Sequence, residues 1–248
     1  MIDSTDIIFN EILGKNGNLG QIILNRPAAL NALTQNMIQQ ISAKLTQWSN
    51  DNHIKAVIIL GAGDRAFCAG GDIRQLYDIG KIKPTDALTF FYDEYRLNYQ
   101  IKYFNKPYIS FLDGITMGGG AGISVHGSHR IATERFLFAM PETGIGFFTD
   151  IGASQFLSHS PGNTGIYCGL TGARIKAADA HYMGIVNHII SHDQLDNVIN
   201  TLAETEFTST EKHRVCEILQ QFDTTSSQHP PIAEHIKEIE SCFSAKSV

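Results

Sequence analysis

GITMGGGAGISVHGSHRIATERFLFAMPETGIGFFTDIGAS, residues 114–154, holds three consecutive glycines and, downstream, two carboxylates eight positions apart, Glu142 and Asp150. The apolar run at 108–112 reads as a strand, which places Gly118-Gly119-Gly120 at a strand-to-helix turn. Backbone N–H groups at such a turn are available to a developing negative charge. Glu142 lies inside the otherwise apolar run FLFAMPETGIGFF, and burying an unpaired carboxylate for packing alone is expensive. Together the two features point to chemistry on a carbonyl.

Each feature also has a plainer explanation. The glycines suit close strand–helix packing, Glu142 follows Pro141 and suits the cap of a short helix, and Asp150 suits the N-cap of IGASQFLS. Position 123 is Ile, so the dinucleotide spacing G-x-G-x-x-G fails, and neither a phosphate-binding G-x-x-x-x-G-K-[ST] nor a nucleophile-elbow G-x-S-x-G occurs. A second glycine pair, in CAGGD at 68–72, shifts the balance. Two donors aimed at one carbonyl oxygen can come from two separate loops.

Outward from this centre, Ile22-Ile23-Leu24 forms a strand that stops at Asn25-Arg26-Pro27. Leu33, Met37, Ile41, Leu45 and Trp48 recur at helical spacing, and AVIIL at 56–60 reads as a strand buried on both faces. Residues 66–73 read as a small-residue turn, and 86–104 as a helix with Leu88, Phe91, Tyr95 and Tyr99 on one face. Strands are expected at 108–112, 130–133, 136–139 and 186–190, with helices at 171–183, 193–203 and 232–243. TTSSQHPP at 224–231 reads as a linker. Alternation of this kind predicts an α/β architecture with a helical C-terminal part.

A formal net charge of −6 over 248 residues provides no basic footprint for nucleic acid. No apolar run is long enough to span a bilayer and MIDSTDIIFN does not read as a leader, so the expected setting is the cytoplasm or the equivalent mitochondrial matrix. Cys68, Cys168, Cys216 and Cys242 are scattered without a C-x-x-C pair, as in a reduced compartment. His126 and His129 stand three apart on an expected helix but lack supporting ligands, so no metal site is expected.

Taken together, NRPAALNALTQNM, AFCAGGDI, GITMGGGAG, PETGIGFF and TGARIKAADAHYMGIVNHII resemble the crotonase (enoyl-CoA hydratase/isomerase) superfamily, to about residue 205. Within it, FFYDEY, FAMPETGIGFFTDIG and SCFSA are most similar to the 3-hydroxyisobutyryl-CoA hydrolases. The resemblance implies a spiral of β-β-α turns over residues 1–205, followed by a helical segment, 206–248, shorter than the family's own. It implies an acyl-CoA partner, no separate cofactor beyond the CoA of the substrate, and a trimer or hexamer.

By the same resemblance, the oxyanion hole would come from Gly71 and Gly119, and Arg26, Leu30, Ala69, Asp72 and Ile73 would line the CoA site. Glu94 falls where the hydrolases have a substrate-contacting glutamate; an exposed charge on an amphipathic helix is the competing interpretation. Hydratases carry a first catalytic glutamate two residues beyond the triple glycine, where this chain has Gly122, and a second at Glu142. The hydrolases instead pair that second glutamate with an aspartate eight residues on, here Asp150. The implied reaction is hydrolysis of a short 3-hydroxyacyl-CoA thioester. The alternatives are a single-glutamate enoyl-CoA isomerase or hydratase-like enzyme, and an acyl-CoA-binding protein without turnover. Relatives read Phe-Pro-Asp followed by glycines, whereas this chain has Phe148-Thr149-Asp150-Ile151-Gly152.

Overall fold

The computed structural model describes residues 6–207 and 211–245. Its strands fall in two sheets. The larger has the order β1 (Ile7–Ile12), β2 (Asn18–Leu24), β3 (Ile54–Gly61), β5 (Tyr108–Leu112), β7 (His129–Ala132), β10 (His188–Ile189). The smaller contains β4 (Ala66–Cys68), β6 (Ile115–Met117), β8 (Leu137–Ala139) and β9 (Ile175–Lys176). Each successive pair, β3/β4, β5/β6 and β7/β8, places one strand in each sheet, and equivalent strands of successive pairs run parallel. This is the expected spiral: each turn stacks on the previous one and delivers its next loop to the same side.

The helices between the strands are α1 (Gln35–Asn50), α2 (Ile73–Ile82), α3 (Pro84–Lys102) and the short α4 (Gly119–Gly122). Beyond β8 come α5 (Ala153–Phe156), α6 (Thr164–Thr171), α7 (Ala177–Tyr182), α8 (Leu195–Glu204), α9 (Glu211–Gln220) and α10 (Ile236–Phe243). The expected face of α1 is observed from Met37 onward, where Met37, Ile41, Leu45 and Trp48 are wholly buried; Thr34 accepts from the Met37 N–H as the N-cap, so Leu33 lies before the helix, where it bridges Gly71. Strand β3 is buried on both faces, as its sequence predicts. Val57 and Ile59 join the main core, while Ala56 and Ile58 face a second cluster formed by Val198 and Leu202 of α8 and Val215 and Leu219 of α9.

Several expectations are corrected. Strand β1 is an edge strand that the apolar pattern did not mark, and Ile73, read as the last residue of a turn, opens helix α2 (Ile73–Ile82). The predicted helix over 171–183 is interrupted because Gly172 adopts a left-handed φ of +66° and ends α6; strand β9 follows before α7. His129 opens strand β7 and His126 lies in the preceding turn, so they share no helix. On α3 the buried face is Phe90, Glu94, Leu97, Asn98 and Ile101, while Leu88, Tyr95 and Tyr99 point outward. Two polar residues occupy the inward stripe, which disguised it.

Among the described residues no helix is long and apolar enough to cross a membrane.

Candidate active site

Strands β4 and β6 are parallel neighbours, so the glycine turns at their ends come side by side. After β4, Leu33 bridges to Gly71 through bonds that use the Gly70 carbonyl and the Asp72 N–H. In a parallel bridge this leaves the N–H of Gly71 pointing to the opposite side. After β6, Gly118 adopts φ +47° and ψ −123°, which its lack of a Cβ permits, and Gly119 becomes the first residue of α4, whose N–H has no partner within the helix. The two turns nearly touch: a Cβ added to Gly119 would lie 3.3 Å from Gly71 N and only 2.3 Å from Glu94 Oε1.

Three carboxyl groups converge on these turns. Glu142 opens the 3-10 turn Glu142–Ile145, and its Oε1 would lie 3.1 Å from a Cβ at Gly118. Glu94 reaches in from α3 at 2% exposure, so the exposed-charge interpretation of this residue is overturned. Asp150 is held by Tyr95, whose hydroxyl donates to Oδ2 at 2.6 Å. It does not cap α5, because that position belongs to Gly152. Among the described residues, Glu94 Oε1 and Glu142 Oε2 are buried without a hydrogen-bond partner within the chain, which singles them out as candidate functional groups.

Burial with like charges nearby sets their protonation. Desolvation, then repulsion from Asp150 and Glu142, pushes Glu94 up to about 8. Glu142 rises to about 7, chiefly through desolvation, with its own backbone N–H opposing and Asp150 adding to the rise. Asp150 is also raised by burial, and the Tyr95 hydroxyl works against that rise.

The cavity has a volume of about 540 Å³ and its lining includes Ala69, Gly71, Ile73, Glu94, Gly119, Glu142 and Asp150. Seven of the ten sequence-derived candidates are thus brought together. Arg26, Leu30 and Asp72 are outside its lining. The Arg26 guanidinium bonds the Ala32 carbonyl at 2.6 Å and Asp72 Oδ2 at 3.0 Å, while Asp72 Oδ1 accepts from Gln75 N as the N-cap of α2. Leu30 supports the wall through its carbonyl, which accepts from Ala69 N at 3.0 Å.

Sequence reasoning missed Tyr95, Asn98 and Asn31 as parts of this site. A Cβ at Gly122 would meet the Asn98 amide at 3.0 Å and Ile151 Cβ at 3.1 Å, so these side chains fill the space a residue at 122 would need. The Asn98 amide, oriented to donate, bonds the carbonyls of Glu94 and Gly122. Asn31 is fully buried and donates to the Ala62 and Ala66 carbonyls, fixing a turn in which Leu30 and Asn31 both have positive φ. Ile151 also has a positive φ, +48°; it is 2% exposed and anchored through its carbonyl at 2.7 Å from His126 Nε2.

The model of the enoyl-CoA hydratase/isomerase family matches residues 19–248. The chain belongs to that family. Similar family members include the mitochondrial 3-hydroxyisobutyryl-CoA hydrolases of Xenopus tropicalis, 45% identical over 96% of this chain and 62% of the frog protein, and of Homo sapiens, 43% identical over 100% of this chain and 65% of the human protein. The chain thus spans less than two thirds of the length of these relatives. Among solved structures, a carnitinyl-CoA dehydratase from Mycobacterium thermoresistibile superimposes with a TM-score of 0.88 at 37% identity, over 98% of this chain and 68% of the dehydratase. The architecture is therefore the crotonase fold of the enoyl-CoA hydratase/isomerase family.

Proposed function

We propose that the chain hydrolyses a short 3-hydroxyacyl-CoA thioester, of the 3-hydroxyisobutyryl-CoA type, to free CoA and the hydroxy acid. The observation that carries this reading is one cavity shared by Glu142, Asp150, Gly71 and Gly119, while the side-chain space at Gly122 is taken by Asn98 and Ile151. The N–H groups of Gly71 and Gly119 would hold the thioester oxygen as it becomes negative. Glu142, raised to about 7, is poised near neutral pH to take a proton from an attacking water. It can equally attack the carbonyl itself, forming an anhydride that water then opens. In both routes the carbon–sulfur bond breaks, and the CoA sulfur leaves as thiol after accepting a proton.

Asp150 would accept from the acyl 3-hydroxyl or assist that proton transfer. Glu94, raised to about 8, would remain protonated at neutral pH and present an O–H to the acyl group. Ala69 and Ile73 stand in the cavity wall, where the family resemblance sets CoA, and Arg26 and Asp72 would hold that wall through their mutual ion pair.

The deciding experiment compares thiol release from 3-hydroxyisobutyryl-CoA with hydration of crotonyl-CoA on one sample. Release without hydration is expected, and Glu142→Gln should abolish release while retaining CoA-ester binding. Full activity in that variant would sink the assignment of Glu142. The similarity to a dehydratase favours a second reading, addition or elimination at a double bond. Double-bond migration in a 3-enoyl-CoA without thiol release would select the isomerase form, and saturable binding without turnover would select a non-catalytic binding protein.

A further inference from the structure

Glu94 and Tyr95 are consecutive on α3, and consecutive helical residues point about 100° apart. Glu94 therefore enters the cavity while Tyr95 runs along its edge and donates to Asp150 Oδ2 at 2.6 Å, the short length of a charge-assisted bond. None of the residues lining the cavity is cationic, and the other acidic groups facing Asp150 are Glu94 from α3 and Glu142 from its 3-10 turn. Among the described residues, Tyr95 is the only side chain that donates to Asp150.

The tyrosine is itself held in place. Its ring lies 6.2 Å from Phe91, Phe91 lies 5.6 Å from Phe147, and Phe147 stacks on Phe148 at 4.4 Å. These rings tie α3 to the segment that leads into Asp150. On the far side, Ile151 is in a backbone conformation disfavoured for a β-branched residue and is retained by His126. The aspartate thus sits in a turn gripped at both ends, its carboxylate held by the Tyr95 hydroxyl at Oδ2 and bonded by its own backbone N–H.

We propose that Tyr95 is a positioning residue: its hydroxyl fixes the Asp150 carboxylate so that the second oxygen meets the 3-hydroxyl of the acyl group. This assignment rests on the hydrolase reading above, and it gives Tyr95 a role that the resemblance carried by FFYDEY does not supply.

Tyr95→Phe keeps the ring and removes the donor. With a 3-hydroxyacyl-CoA, kcat/KM should fall about ten- to a hundredfold, the worth of one hydrogen bond to a charged group. An acyl-CoA lacking the hydroxyl should lose no more than about threefold. In an Asp150→Asn background the same change should add nothing. A readout independent of turnover is the carboxyl ¹³C titration of Asp150 in the free protein, whose midpoint should move up in Tyr95→Phe because the hydrogen bond favours the charged form. Equal losses on both substrates with an unmoved midpoint would reduce Tyr95 to packing and overturn the proposal. A shifted midpoint in a protein that releases no thiol would leave the clasp standing and remove the hydrolase reading instead. Should Tyr95→Phe not fold, 3-fluorotyrosine at position 95, a stronger donor, should lower the midpoint, and an unchanged midpoint would overturn the proposal.

Discussion

Replacing Glu94 by glutamine tests the electrostatics of the cavity directly. The Glu94 carboxyl is 2% exposed and is raised from 4.5 to about 8 in the folded protein. An unfolded chain releases this proton near 4.5, while the folded chain retains it, so the folded state is penalised as pH rises through that window. Stability from this group is complete below about 4.5 and is lost progressively up to about 8, at roughly 1.4 kcal/mol per pH unit. The loss sums to ~4–5 kcal/mol, a large share of a typical folding stability of about 5–15 kcal/mol. Glu94→Gln stays neutral throughout. In urea titrations of the ligand-free protein it should match the wild type within ~1 kcal/mol near pH 5 and exceed it by ~4–5 kcal/mol above pH 8. Both proteins should still lose stability between 4.5 and about 7, because Glu142 titrates there for the same reason. Parallel stability curves for the two proteins across pH 5 to 9 would refute the picture of a buried, protonated Glu94.

Three further outcomes follow from the geometry. Gly122→Glu, which reinstates the hydratase's first acid, should destabilise the fold by at least ~1–3 kcal/mol through overpacking against Asn98 and Ile151, and should not yield crotonyl-CoA hydration; thermal melting and a hydration assay check this. At Ile151 the usual order should invert: Ile151→Gly should be more stable than Ile151→Ala, because only glycine adopts φ +48° without strain of about 1–2 kcal/mol, and denaturation midpoints decide it. Asp150→Asn should cost at least about tenfold more kcat/KM on a 3-hydroxyacyl-CoA than on the deoxy analogue, and equal losses would deny it the hydroxyl-reading role.

Helix α1 was legible because its apolar residues alone decide its face: Met37, Ile38, Ile41, Leu45 and Trp48 are the residues it buries. Helix α3 was misread on the same logic, since Glu94 and Asn98 occupy its inward stripe and tyrosines lie outside. Their burial depends on the glycine turns of β4 and β6, which no local pattern contains. Strand β1 pairs only with β2, and of its six residues only Ile7 is buried, so its periodicity is weak. The Glu142 and Asp150 spacing stood out against an apolar background. Tyr95 was visible only as one aromatic among several, because its partner lies 55 residues away.

Helix α2 walls the cavity with Ile73, Leu76 and Tyr77, yet none of its residues is buried. Segments with little buried apolar contact open locally at far lower free energy than the core. This wall is therefore a loosely held part of the spiral, and a bound acyl-CoA would supply apolar contact that the fold itself withholds there. Ligand binding should slow amide exchange most strongly in Ile73–Ile82 and scarcely at all in β3, making this helix a built-in reporter of occupancy.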